Sequence, residues 1–458
     1  MSRTTTPTLY DPTVGDSSTE EQRRAFRAGE IPVAVYGLGK MGLPLASVYG
    51  EVCGNVIGAD IDEDVVESIN GGESHIKREP GLADLVSELV AEDALRAVDN
   101  PAEAARAATV HVIIVPTLLT DEHVPDLSIL RSAVDDVASG LSAGDLVLVE
   151  STVPPRTCSE VVHPRLARES GVEAGEFGLA FCPERTASGR ALEDIRGAYP
   201  KVVGGIDAES TRVAQLIYDE INEKGTIPVS DTTTAEAVKV FEGVYRDVNI
   251  ALANELAQMT DELGIDVREA ISVANTQPYC DIHDPGPGVG GHCIPYYPYF
   301  LIEGLETDNR LLKTAREIND EMPAFTIRKL AEELASVGKN VADARVAVLG
   351  LTYRPGVEEI RASPAIPITH RLEDLGADVL TIDPMLDDTS EFGGEQVPLE
   401  TLYDHDLDAI VLATPHEEFD AIDWTGFDRP LVVIDGHASI DLAETEHRRY
   451  AIGTGRPQ

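Results

Sequence analysis

The chain has 458 residues, 43% of them hydrophobic, and carries 81 acidic against 36 basic side chains for a formal charge of −45. That charge excludes tracking of a nucleic-acid backbone, and no apolar run reaches the length of a membrane span. The length suits two or three domains with sizeable cores.

Only 8 of the basic residues are Lys and 28 are Arg. The acids are scattered along the chain rather than gathered in a tail, which points to adaptation to high salt, where screening weakens carboxylate repulsion. The five Cys, at 53, 158, 182, 280 and 293, are odd in number and form no C-x-x-C pair. This pattern, with no apolar signal core at the N-terminus, predicts a reduced, cytoplasmic chain with neither a disulfide framework nor a metal site.

Residues 1–30, with TTTPT and DSSTEEQRR, read as a mobile polar tail. A first domain is expected over 31–230. Ile31–Tyr36 is an apolar strand running into Gly37-Leu-Gly39-Lys-Met-Gly42 and then a helix from Leu43. This is G-x-G-x-x-G in the strand-to-helix context that a dinucleotide fingerprint needs. Gly37 allows the tight turn, Gly39 lets a pyrophosphate approach the backbone, and Gly42 permits close helix–strand packing. A second strand, Asn55–Ala59, leads to Asp60, eighteen residues beyond Gly42. A carboxylate there accepts from a ribose diol and repels a 2′-phosphate, favouring NAD over NADP; the plain alternative is a cap for a helix over 63–69. Further strands at 109–115, 145–149, 178–181 and 201–204 alternate with helical patterns at 127–140 and 157–169. They predict an α/β doubly wound parallel sheet. Thr117 and Thr152 follow two of these strand ends, where such sheets bind ligands.

A central helical domain is expected over 231–337. Apolar residues at 238, 241, 244, 248, 252, 256, 259 and 263 mark one long amphipathic helix from Thr234 to Leu263, carrying Lys239. A second helix spans about 310–337, with a kink expected at Pro323. Long helices between two α/β units can pack against a second copy, so a homodimer is expected. Between the helices lies Asp284-Pro-Gly-Pro-Gly288-Val-Gly290-Gly291-His-Cys293-Ile-Pro295. Its glycines and prolines preclude a helix or inner strand and let the backbone approach a ligand at Gly288, Gly290 and Gly291; the segment delivers a thiol nucleophile. The last part, 338–458, repeats strands at 344–350, 378–382, 409–413 and 431–434 as a second, smaller Rossmann-like unit. Its first turn lacks the dinucleotide glycines and offers Arg354 and Arg361, suited to a diphosphate or carboxylate.

These residues resemble the UDP-glucose/GDP-mannose dehydrogenase family from about Ile31 to His437. The landmarks are GLGKMGLPLA, Asp60, INGG with REPGL, VPT, ESTVPPRT, CPER, NIALANELA, GPGVGGHCIP, LLKTAREIND, and VLGLTYRP with EIRASPA. The GPGVGGHC form and the Arg after Pro183-Glu184 are most similar to the UDP-N-acetylhexosamine branch. The resemblance implies a four-electron oxidation in polysaccharide biosynthesis, UDP-N-acetyl-D-mannosamine going to its uronate at the expense of two NAD. UDP-glucose is the alternative sugar. By that resemblance Cys293 captures the aldehyde and Lys239 stabilises oxyanion charge. Glu184 activates the hydrolytic water, and Thr117 helps to place it. Arg354 and Arg361 lie near substrate and cofactor. Two positions depart from the family pattern: Gly243 stands where Asn is usual, and Tyr297 where Asp is usual. Gly inside a helix costs about 1 kcal/mol relative to Ala, and a phenol cannot replace a carboxylate at neutral pH. The departures raise a reading of another class, a nucleotide-sugar-binding homologue with weak or no turnover. A two-electron hydroxyacid dehydrogenase would share the first domain but leave the cysteine loop unexplained.

Overall fold

A computed structural model describes residues 8–13 and 19–456. The chain divides into two compact units. The first comprises residues up to Phe241 together with Tyr299–Gly304; the second comprises Glu242–Pro298 and the chain from Leu305 onward.

The first unit is built on an eight-stranded sheet. Its strands are β1 (Val33–Tyr36), β2 (Val56–Ala59), β3 (Leu95–Val98) and β4 (Val110–Ile113), then, after a small hairpin of β5 (Leu118–Leu119) and β6 (Pro125–Asp126), β7 (Leu146–Val149), β8 (Gly178–Phe181), β9 (Lys201–Gly205) and β10 (Thr226–Pro228). The spatial order is β10-β9-β8-β7-β4-β1-β2-β3. Most inner strands are buried on both faces, which is why they read as unbroken apolar runs rather than alternating ones. Two cores lie on opposite faces of the sheet, one around Val33, Val35, Leu43 and Tyr49, the other around Ala34, Tyr36, Val147 and Phe181. One pairing departs from the expected parallel sheet: β8 and β9 are antiparallel. The chain between them, 182–200, contains Pro183, Gly189, Gly197 and Pro200 and only short helical turns, so it returns without the full crossover helix that a parallel connection requires.

The expected mobile tail is corrected where the structure describes it; residues 1–7 and 14–18 lie outside the described residues. Thr19–Arg27 is a helix. Leu9 and Phe26 are fully buried, and Phe26 meets Tyr49 edge-on at 6.5 Å. The Tyr10 hydroxyl donates to Asp207 at 2.7 Å, and Gln22 Nε2 donates to the Leu9 carbonyl at 2.9 Å. Average polarity hid a few apolar anchors, and these decide the packing.

The second unit holds a six-stranded parallel sheet of β11 (Arg345–Leu349), β12 (Asp378–Ile382), β13 (Glu395–Gln396), β14 (Ala409–Leu412), β15 (Val432–Asp435) and β16 (Arg448–Ala451), in the order β13-β12-β11-β14-β15-β16. The second long helix, Arg310–Ser336, runs through Pro323 and contributes Met322, Phe325 and Leu330 to the core of this unit.

The central helix spans Thr232–Gln258, and a separate turn of helix follows at Thr260–Leu263. Its predicted apolar stripe is not the buried face within the second unit. Leu252, Met259 and Leu263 are exposed, as is Tyr245, whereas Asp247, Ala253, Asn254 and Ala257 are buried. The polar residues face inward because they bond to neighbouring segments, as the site below shows, and the alanines pack in apolar clusters. Among the described residues no helix is long and apolar enough to cross a membrane.

Candidate active site

The turn after β1 forms a cradle. Gly37 has φ +94, a conformation that favours glycine, and its N–H donates to the Ala59 carbonyl at 2.9 Å. A Cβ on Gly42 would lie on the Gly37 carbonyl oxygen, with the carbonyl carbon at 2.8 Å, so only glycine lets the Gly42–Cys53 helix start this close to the strand. A Cβ on Gly39 would meet nothing within 4 Å; its backbone faces open space at a helix N-terminus. Asp60 Oδ2 accepts from the Leu38 N–H at 2.7 Å and Oδ1 from the Asp62 N–H at 3.1 Å. The helix that follows is capped by Asp62, which accepts from Asp64 at 3.0 Å, so the cap alternative for Asp60 falls. A carboxylate with spare acceptor capacity beside an open, helix-ended glycine turn fits NAD, the ribose diol on Asp60 and the pyrophosphate on the backbone at Gly39.

The corresponding turn of the second sheet is closed. Gly350 repeats the positive φ, at +78, and donates to the Ile382 carbonyl at 2.9 Å. Asp383, at the end of β12, accepts from Leu351 N–H at 2.5 Å, as Asp60 does from Leu38. It also accepts from Thr352 N–H at 3.0 Å and Met385 N–H at 2.7 Å, and it pairs with His416 Nε2 at 3.1 Å.

Within the first unit the structure brings Glu184 and Lys239 together. The Lys239 ammonium donates to the Glu184 backbone carbonyl and lies 3.5 Å from its carboxylate. Thr186 donates to the same carboxylate through its N–H and, at 2.5 Å, through its hydroxyl, which also contacts Met41 Sδ at 2.9 Å in the glycine turn. These groups border a cleft lined also by Ile114, Tyr199 and Lys201. Lys239 is held there by its helix, whose preceding turn carries Glu236. That carboxylate accepts from the N–H groups of Arg156 at 2.6 Å and Cys158 at 2.7 Å, fixing the helix to the turn after β7. Among the described residues, Thr117 Oγ1 is buried with no hydrogen-bond partner. Thr152 is half-buried directly after Ser151, whose hydroxyl accepts from Val115 N–H at 2.8 Å.

Burial pushes the Glu184 carboxyl up, but the Lys239 charge and the two Thr186 donors outweigh it and hold the group below the ordinary carboxylate value. Glu184 is therefore ionised at neutral pH and available as a proton acceptor. The depressed value implies a stabilising contribution that is present above the unfolded-state pKa and lost as pH falls through the lower folded-state pKa. Lys239→Met is expected to reverse the shift, so that the carboxyl titrates above its ordinary value. A carbon-13 titration of the Glu184 carboxyl measures this; an unchanged titration would refute Lys239 as the cause.

In the second unit the cysteine loop is irregular from 281 to 296, as its composition predicts. Polar residues of the central helix hold its start. Asn249 Oδ1 accepts from His283 N–H at 2.8 Å and its Nδ2 donates to the Asp281 carbonyl at 2.6 Å. Asn254 Oδ1 accepts from Gly286 N–H, while its Nδ2 donates to Asn319 Oδ1, both at 2.9 Å. Asn319 in turn donates to Asp247, which pairs with buried Arg316 at 2.5 Å. Arg268 donates to the carbonyls of Pro285 at 2.6 Å and Ile452 at 2.7 Å. The glycines then let the backbone lie against side chains. A Cβ on Gly288 would come within 2.7 Å of Pro364, one on Gly290 within 2.7 Å of Tyr353, and one on Gly291 within 2.9 Å of the Tyr353 ring. Gly291 N–H donates to the Arg361 carbonyl at 2.8 Å.

The loop delivers Cys293 exposed, while Cys53, Cys158 and Cys182 are buried. Beside it His292 Nε2 pairs with Glu359 at 2.9 Å. Arg354 is exposed and Arg361 half-buried on the turn that backs the glycines. The anchors Asn249, Asn254 and Arg268 hold the loop through bonds that pattern reading did not assign. The signal for the two Asn was their polarity within NIALANELA, on a helix otherwise read for its apolar stripe; Arg268 lies on the separate helix Val267–Ala274.

Three family models match the chain, all of the UDP-glucose/GDP-mannose dehydrogenase family: the NAD binding domain over 31–222, the central domain over 233–321 and the UDP binding domain over 347–442. The UDP-N-acetyl-D-mannosamine dehydrogenase of Pyrococcus horikoshii is 37% identical over 409 residues, covering 88% of this chain and 94% of that protein. The NDP-N-acetyl-D-galactosaminuronic acid dehydrogenase of Ralstonia nicotianae is 35% identical, covering 85% of this chain and 92% of that protein. Among solved structures, the UDP-D-ManNAc dehydrogenase of Pyrococcus horikoshii superposes with a TM-score of 0.85 at 35% identity, covering 92% of this chain and 99% of that one.

Proposed function

Because this chain belongs to the UDP-glucose/GDP-mannose dehydrogenase family, we propose that it oxidises the C6 alcohol of UDP-N-acetyl-D-mannosamine to the uronate, with a covalent intermediate on Cys293. Bound NAD supplies the hydride acceptor in each of two oxidations. The observation that carries the reading is the exposed Cys293 thiol at the end of a loop whose backbone is pinned by Asn254, Arg268 and Tyr353.

In this scheme the alcohol loses a hydride and a proton to give an aldehyde. The Cys293 sulfur then adds to the aldehyde carbon, forming a thiohemiacetal. This keeps the aldehyde from escaping before a second hydride and proton leave, giving a thioester. Water breaks the carbon–sulfur bond, the thiol regains its proton, and the sugar leaves as a carboxylate. Lys239 stabilises negative charge on the reacting oxygen, and ionised Glu184 takes the proton from the water. The buried Thr117 hydroxyl helps to place that water. Gly37, Gly39, Gly42 and Asp60 hold NAD, with Thr152 and Arg361 as further cofactor contacts. Gly288, Gly290, Gly291 and Arg354 hold the UDP-sugar. The reading keeps the three-part organisation: cofactor on 31–230, helices and thiol on 231–337, UDP on 338–458.

The sugar rests on the mannosamine relatives, one of them 37% identical over most of both chains. Counting NADH per sugar consumed across a panel of UDP-sugars tests the scheme. A ratio near two with preference for UDP-N-acetyl-D-mannosamine is expected. A preference for UDP-glucose would move the substrate, a ratio of one would sink covalent capture, and tight binding of both ligands without NADH would establish the binding-only alternative.

A homodimer belongs to the same proposal. Tyr245, Leu252, Met259 and Leu263 form an exposed apolar stripe along the central helix and the turn after it, a surface that a second copy would cover. Sedimentation at working concentration should give the mass of two chains; a single-chain mass would remove it.

A further inference from the structure

The two departures from the family pattern meet in one contact. Gly243 lies on the central helix and Tyr297 opens the Tyr297–Ile302 helix. A Cβ on Gly243 would overlap the Cδ2 edge of the Tyr297 ring, with Cγ and Cε2 at 3.0 Å and Cδ2 nearer still. Gly243 and Tyr297 are both buried, the tyrosine only 6% exposed. No side chain other than hydrogen fits at 243 while this ring stays in place, because the obstruction is the base of a packed aromatic and not the far end of a flexible chain.

The same tyrosine reaches the thiol through the backbone. Its N–H donates to the Cys293 carbonyl at 3.0 Å, and the Tyr296 N–H donates to the same oxygen at 3.1 Å. The cysteine therefore sits one turn before a residue whose ring is locked onto the central helix. Its other side is fixed by Gly291 N–H on the Arg361 carbonyl at 2.8 Å and by the Tyr353 ring against Gly291. Asn249 and Asn254 of the same helix pin the start of the loop. The central helix thus holds the segment at both ends, and on the Cys293 side the Tyr297 ring is seated on Gly243.

We propose that Gly243 and Tyr297 are a single coupled exchange, in which Tyr297 acts as a positioning residue for Cys293 and Gly243 is the socket that admits it. The two departures are then not two independent losses. An aromatic ring locked by shape holds the cysteine backbone where the family pattern has a polar pair.

The test is a double-mutant cycle on the full chain, with UDP-sugar turnover and the rate of Cys293 alkylation by iodoacetamide across pH as separate readouts. The alkylation readout does not depend on the proposed reaction, so failure of the function and failure of this inference are distinguishable. Tyr297→Phe keeps the ring and should stay within about threefold of the parent in kcat and alkylation rate. Tyr297→Ala should lower kcat about thirtyfold or more with a smaller change in KM for UDP-sugar, and should displace the alkylation pH profile. Gly243→Asn alone should lower kcat and Tm, and Gly243→Asn combined with Tyr297→Asp should recover at least about tenfold of the lost turnover. If Gly243→Asn does not fold, the Phe and Ala variants decide. Strict additivity in the cycle, an alkylation profile untouched in Tyr297→Ala, or equal damage from Phe and Ala would each overturn the proposal.

Discussion

Cys293→Ala is expected to abolish uronate formation, lowering steady-state turnover at least about a thousandfold, with binding of UDP-sugar and NAD within about threefold of the parent. The separation follows from where the sulfur stands. Cys293 is exposed, unlike Cys53, Cys158 and Cys182, so its loss removes little packing and stability should change by less than about 0.5 kcal/mol. The loop is held by backbone contacts of Gly286, Gly291 and the Cys293 carbonyl itself, none of which needs the thiol. In the proposed scheme the first oxidation does not use the sulfur, so a single turnover should still yield one NADH and a released aldehyde. Detecting that aldehyde, with no uronate, places the thiol in the second oxidation. Uronate formed at the parent rate would remove the covalent scheme altogether.

The second large effect is expected at the first glycine turn, where two neighbouring glycines serve different ends. Gly42→Ala would put a methyl on the Gly37 carbonyl oxygen. The helix start must then move away from β1, which costs about 3 kcal/mol of stability and carries the N–H groups proposed to receive the pyrophosphate out of place. NAD affinity should fall at least about a hundredfold, a factor that corresponds to about 2.7 kcal/mol. Gly39→Ala meets no neighbour within 4 Å, so the fold should be kept within about 1 kcal/mol while the methyl intrudes on the approach of the pyrophosphate. Thermal melts beside NAD titrations separate the two. Normal NAD binding by Gly42→Ala, or unfolding of Gly39→Ala, would contradict the assignment.

Much of this architecture is legible in the sequence because local signals agree with the tertiary result. The β1–glycine–helix turn, Asp60 and the strands at 109–115 and 378–382 announce themselves by continuous apolar runs and fixed glycine spacing. The glycine-rich loop is equally plain, since nothing else accommodates that composition. What stayed hidden depends on partners distant in sequence. The reversal at β8 and β9 is set by a return path, not by the strands' own residues. The inward face of the central helix is polar, because Asp247 and Asn254 answer donors some thirty to seventy residues away, and a hydrophobic period cannot show that. Gly243 and Tyr297 looked like separate defects until the ring and the socket were seen in contact.

The two sheets repeat one device, an acid at the end of the second strand bonded to the backbone after a positive-φ glycine. At Asp60 two backbone donors leave lone pairs unspent. At Asp383 three backbone donors and the His416 imidazole crowd the carboxylate, three of the four on Oδ2, and burial notwithstanding, those partners hold the carboxyl below its usual range. An adenosine offered to both halves thus finds one vacancy, so duplication of the fold does not duplicate the appetite for a dinucleotide, and saturation with NAD should end at one molecule per chain.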